Sequence, residues 1–236
     1  MKKQFENLKK HKLLGNQKDF NKTLAKLLPQ LEQYVRHRIR IFEAQRKLPE
    51  NYYSPADVLA DVYLQTFNDF DIVSNEKLLK IKMFTQADKI IQSYVEKENK
   101  PNKKIPIAQL LQDELKIMYE KLTANADGEV LLTNDLKEED IEYQQDEFKP
   151  KVYLFDYNTQ NAFAQSLGLT ADDFRDEKLR SIFGNLYSQL PEIIRRILDL
   201  NALGGLSSGE IAEILEIQTD EVEKIIIAIK EKIVDK

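Results

Sequence analysis

Thr219, Asp220, Glu221, Glu223 and Lys224 cluster at the start of the last helical pattern in the chain. Polar side chains grouped at one helix end can meet base edges and phosphates when that helix lies in the major groove of DNA. A charge count cuts against such binding. Residues 186–236 hold six Lys/Arg and ten Asp/Glu, a net of −4. A helix start with three carboxylates repels phosphate, although it suits the positive end of the helix dipole.

Other chemistries find less support. With no cysteine there is neither a thiol nucleophile nor a disulfide framework. His11 and His37 sit among Lys and Arg, with no Ser or Cys partner in a recognisable motif, so solvated roles are expected for both. Residues 123–134 imitate a calcium loop, with Asn125, Asp127, Gly128 and Val130 in fitting places. Thr123 and Asn134 replace its first and last carboxylates, so a plain turn is expected and no metal. No phosphate loop or zinc-ligand spacing occurs, and no enzyme and no cofactor are expected.

The elements that must position these residues follow from periodicity. In the C-terminal segment Ile211, Leu215, Ile217, Val222 and Ile225 bury the inner faces of two short helices. Ser207 or Ser208 caps the first, Ala212 lets backbones approach, and Thr219 caps the second. Glu216 falls where the turn between them wants a positive φ, at a cost of about 1 kcal/mol relative to glycine. This is a helix-turn-helix pattern. Ile227 lies off the stripe that Val222, Ile226, Ile229 and Ile233 continue; burial against the preceding helices is expected, with contact to a partner or a second copy as the alternative.

Towards the N-terminus, Leu24 to Phe42 carry apolar residues at helical spacing, which predicts one long helix over 20–46 with Arg36, Arg38 and Arg40 on its polar side. Ser54 caps a second helix with Pro55 in its first turn. Its buried stripe is Val58, Leu59, Val62, Tyr63, Thr66, Phe67 and Phe70. A third helix runs from about Glu76 to Glu98. The middle is less regular. A helix from Leu110 to Leu122, a turn at Ala126–Gly128, a strand or hairpin at Val130–Leu132, an acidic loop from Glu138 to Pro150, a short strand at Val152–Tyr157 and a helix from Thr170 toward Phe183 are expected.

At 236 residues and 42% hydrophobic, the chain can build two compact domains and a connector. Its net charge of −5 conceals a split. Residues 1–47 carry thirteen Lys/Arg against four Asp/Glu, a net of +9, and residues 111–148 carry three against twelve, a net of −9. No apolar run approaches membrane-spanning length, and the Lys-rich start lacks an apolar signal core, so a cytoplasmic protein with no membrane partner is expected.

Two separated segments resemble sigma-70-type RNA polymerase sigma factors. Asp57-Val58-Leu59-Ala60-Asp61-Val62-Tyr63-Leu64-Gln65-Thr66-Phe67 looks like the family helix that clasps the polymerase coiled coil, with Ala60 where a glutamine is usual. Ser188-Gln189-Leu190-Pro191 through Leu198, then Gly205-Leu206-Ser207-Ser208-Gly209-Glu210-Ile211-Ala212, looks like its C-terminal promoter-reading unit. The order favours the small extracytoplasmic-function (ECF) type. The resemblance covers 1–100 and 180–236, and not the middle.

It implies an all-α protein of two helical domains. Residues 1–100 would form a sigma region 2-like domain, 101–180 an acidic insert with minor β structure, and 181–236 a region 4-like helix-turn-helix domain. The partners implied are core RNA polymerase and promoter DNA at the −10 and −35 elements, with an anti-sigma factor as a further candidate. Asp57, Asp61, Gln65 and Phe67 would face or support the polymerase. Lys82, Gln86, Lys89 and Gln92 would face the melted strand, with Tyr94 stacking on a base. The family's usual tryptophan is missing, since the chain has none. Arg195 and Arg196 would touch −35 phosphates, and Thr219, Asp220, Glu221, Glu223 and Lys224 would begin the recognition helix. A second expectation is a sigma-derived interaction protein that keeps the fold without promoter recognition, its acidic middle masking the basic N-terminal helices.

Overall fold

The computed structural model describes residues 2–98, 122–124, 130–132, 157–168, 183–184 and 186–234. The fold is all-α. Its helices are α1 (Lys2–Leu13), α2 (Gln17–Leu27), α3 (Pro29–Ala44), α4 (Pro55–Asn68), α5 (Glu76–Glu98), α6 (Tyr157–Leu167), α7 (Glu192–Ala202), α8 (Ser208–Leu215) and α9 (Thr219–Val234), with a 3-10 turn at Phe70–Ile72. One short antiparallel ladder pairs Leu122–Ala124 with Val130–Leu132, Leu122 opposite Leu132. The expectations for the helix from Leu110, the turn at Ala126–Gly128, the calcium-like loop, the acidic loop, the strand at Val152–Tyr157 and the helix from Thr170 lie wholly or mostly outside the described residues.

The long helix expected over 20–46 is two helices. Leu28, at φ −130° and ψ 63°, separates α2 from α3, and Pro29 opens α3. Proline has no N–H to give and its ring crowds the carbonyl four residues back, so it starts a helix but does not continue one. The other two N-terminal helices follow their sequence signals. The Ser54 Oγ accepts from the Ala56 N–H at 3.2 Å with Pro55 behind it, and α5 has the bounds its periodicity predicts.

The chain divides into two compact units, Met1–Lys103 with Asp199–Glu223, and Lys104–Leu198 with Lys224–Lys236. Asp199–Glu223, expected within residues 181–236 as a separate domain, thus groups with the N-terminal helices. A buried ion pair joins the two stretches. Arg38 is fully buried, not on the polar side of α3, and its guanidinium lies 3.4 Å from the equally buried Asp199 carboxylate. His37, expected in solvent, is also buried, with Nε2 3.5 Å from the same carboxylate. The Arg38 guanidinium sits 4.7 Å from the centre of the Phe42 ring, so an aromatic face supports the cation.

Further contacts bind α8 and its leading turn to α5. The Lys77 ammonium meets Glu213 at 2.6 Å, and Lys80 donates to the Gly205 carbonyl at 2.8 Å with Glu210 at 3.9 Å. The hydrogen bond to Glu213 raises the Lys77 pKa. Gly204 makes the close approach possible. A Cβ there would lie 2.5 Å from the Leu200 carbonyl oxygen and 3.0 Å from a Phe84 ring carbon. A backbone oxygen cannot swing away, so Gly204→Ala is expected to destabilise the protein by about 1–3 kcal/mol, as a lower urea midpoint would reveal.

In the second unit α6 contributes Phe163, whose ring lies 5.3 Å from Phe183 and 5.5 Å from Tyr187. All three rings are buried and form an aromatic core.

Candidate functional site

Two surfaces carry the candidate residues. The first is α4. Val58, Leu59, Val62 and Thr66 bury one side of it. Asp57, Asp61 and Gln65 recur every four residues on the exposed side, with Leu64 beside them 44% exposed. Phe67 is not on that surface. Its ring packs edge-on against Phe20 at 5.0 Å and lies 4.6 Å under the Lys12 ammonium, so it supports the helix from within.

Tyr94 of α5 sits next to this acidic row. Burial, then the charges of Asp61 and Asp57, push its phenol pKa up. Its ring is stacked on Tyr53 at 4.3 Å and 20°, and Lys97 lies 5.5 Å from it. A protein side chain thus covers one face of the ring expected to stack on a nucleobase. The Tyr53 hydroxyl donates to Glu98 at 2.7 Å, and that bond, with smaller help from burial and the Glu98 charge, pushes the phenol up to about 12.

The remaining strand-facing candidates on α5 are mostly engaged. Lys82 pairs with Asp69 at 3.2 Å, and the Gln86 side-chain oxygen accepts from the Thr66 hydroxyl at 3.3 Å. Gln92 is half-buried and Lys89 is exposed.

The second surface is the helix-turn-helix. Ser207 caps α8 in a reciprocal arrangement: its hydroxyl accepts from the Glu210 N–H, and the Glu210 carboxylate accepts from the Ser207 N–H at 2.8 Å. Glu216 follows at φ 58° and ψ 41°, the left-handed conformation that the spacing predicts for the turn. Its N–H, and then that of Ile217, return to the Ala212 carbonyl. Thr219 is not the cap of α9 but its first helical residue. The cap falls at Gln218, whose N–H is accepted by the Glu221 carboxylate at 3.2 Å. Glu221 thus serves the helix start. Thr219, Asp220, Glu223 and Lys224 are exposed, a face with three carboxylates in its first turns counting the half-exposed Glu221. Ile227 is 53% exposed, contrary to the burial expected for it.

Arg195 cannot touch DNA phosphates. It is 3% exposed, and its guanidinium donates to the carbonyls of Tyr187 at 3.3 Å, Ser188 at 3.1 Å and Leu190 at 2.7 Å. It also lies 5.3 Å from the centre of the Tyr187 ring. A planar fork holds three carbonyls at once, and an ammonium cannot reproduce that geometry. Arg195→Lys is expected to cost about 2–3 kcal/mol, read by thermal unfolding, while exposed Lys89→Ala leaves stability unchanged. Arg196 next to it is half-exposed.

Residues missed from sequence are His37, Arg38 and Asp199. Their types signal surface, and their pairing spans 161 positions. Among the described residues no helix is long and apolar enough to cross a membrane. Comparison with protein-family models, with curated proteins and with solved structures finds no match to this chain.

Proposed function

We propose that this chain is a sigma-70-like transcription initiation factor that binds core RNA polymerase and directs it to promoter DNA. The observation that carries the reading is α4: Asp57, Asp61 and Gln65 share an exposed face while the opposite side is sealed into the core. Such a rigid acidic row suits a basic or polar protein groove, because its geometry is set before the partner arrives. The helix-turn-helix would then supply the duplex contact, with Lys224 as its exposed cation.

A second reading is a sigma-derived interaction protein that keeps the fold without sequence-specific promoter recognition. The internal position of Arg195 favours it, as do the carboxylates that open α9 and the engagement of Lys82 by Asp69 and of Gln86 by Thr66. Run-off transcription with core polymerase and fragments of the host genome separates the two. Starts that depend on this chain support the initiation factor. Polymerase that is bound but never starts leaves the second reading standing.

A further inference from the structure

The turn between α1 and α2 presents two leucines to solvent inside a basic patch. Leu13 is 87% exposed and Leu14 69%. Their exposure is fixed by a bonded backbone and not by a slack loop. The N–H groups of Leu14, Gly15 and Asn16 return to the carbonyls of Lys10, Lys12 and His11 at 3.1, 3.0 and 2.9 Å, and Gly15 takes the φ of 64° that closes the turn.

The same end of this unit carries a third apolar side chain. Lys12 donates to the carbonyls of Phe67 and Asn68 and lies 3.9 Å from Asp71, which ties the end of α1 to the 3-10 turn bearing Ile72. Ile72 is 71% exposed. Most large apolar residues in the unit are buried, so three such side chains at one end form a patch that asks for a partner.

Charge indicates which partner. Residues 2–27 hold eight lysines and two acids, Glu6 and Asp19. Glu6 pairs with Lys9 at 3.7 Å and Asp19 accepts from the Asn16 side chain at 2.8 Å, while the neighbouring Asp71 faces Lys12. Lys10, Lys18 and Lys22 are exposed around the leucines. Nucleic acid would use the lysines but offers aliphatic side chains no apolar medium. A bilayer with anionic headgroups satisfies both parts, because leucines enter the acyl boundary while lysines stay at the phosphates.

We propose that the α1–α2 turn is a peripheral membrane-contact tip, with Leu13, Leu14 and Ile72 inserting and Lys10 and Lys18 meeting anionic lipid. No spanning helix is needed for such a contact, and the proposal does not depend on the function proposed above.

The test is co-sedimentation of the full-length chain with vesicles of phosphatidylcholine and phosphatidylglycerol in equal parts, against vesicles of phosphatidylcholine alone. Binding to the anionic vesicles is expected to fall about tenfold or more in Leu13→Glu/Leu14→Glu. It should also fall in Lys10→Glu/Lys18→Glu and at high salt. All four positions are solvent-exposed, so the variants keep the helical circular dichroism of the parent. No sedimentation with anionic vesicles overturns the proposal. So does sedimentation that the leucine variant leaves unchanged, or equal binding to both kinds of vesicle. Loss of duplex-DNA binding in the lysine variant, with vesicles ignored, would assign the patch to nucleic acid instead.

Discussion

Replacement of Asp199 by alanine is expected to destabilise the protein by about 3–5 kcal/mol. The carboxylate and the Arg38 guanidinium are both fully buried, 3.4 Å apart. Removing the acid leaves a buried cation without this counter-charge, over the Phe42 ring at 4.7 Å and beside His37. Asp199→Asn keeps the volume and removes the charge, so it should retain most of the damage. The paired change Arg38→Met with Asp199→Leu should recover most of the loss, because an apolar pair leaves no charge to desolvate. Urea unfolding followed by circular dichroism checks the series. A single-variant loss below about 1 kcal/mol would mean that the pair is hydrated and does not hold Asp199–Glu223 to the N-terminal helices. The exposed Lys77–Glu213 pair, by contrast, should matter little to stability, since water competes for both ends.

The second large effect concerns binding. Asp57→Lys with Asp61→Lys reverses the charge of the exposed row on α4 without touching its buried side. If that row docks on core RNA polymerase, affinity should fall at least about thirtyfold, the equivalent of about 2 kcal/mol. Stability should fall by no more than about 1 kcal/mol, the share that Asp57 contributes at the positive end of the α4 dipole. The conservative pair Asp57→Asn with Asp61→Asn should lose less than the reversal and lose it chiefly in association rate. Titration of labelled full-length chain with reconstituted core enzyme gives the comparison.

The α4 face was legible because several local signals agree: a serine cap, a proline behind it, and apolar residues at three- and four-residue spacing. The Ser207 cap and the left-handed Glu216 were legible for the same reason, since caps and turns are written in a few consecutive residues. The break at Leu28 was equally local, but the apolar stripe runs across it and hides the proline. Burial of Arg38 was not legible. Its position falls among Tyr34, Val35, Ile39 and Phe42 on the inner face of α3, where a charged residue is tolerated only with a buried counter-charge, and that partner is Asp199. Arg195 failed for a related reason. Its partners are main-chain carbonyls, which carry no residue type for a sequence to display.

Co-purification from the native host tests most directly the proposal that α4 docks on core polymerase. Tagged full-length chain should retain the core subunits through washing, and the Asp57→Lys/Asp61→Lys variant should lose them at equal expression. Absence of core subunits from the unmodified chain, or equal retention by the variant, would contradict that docking.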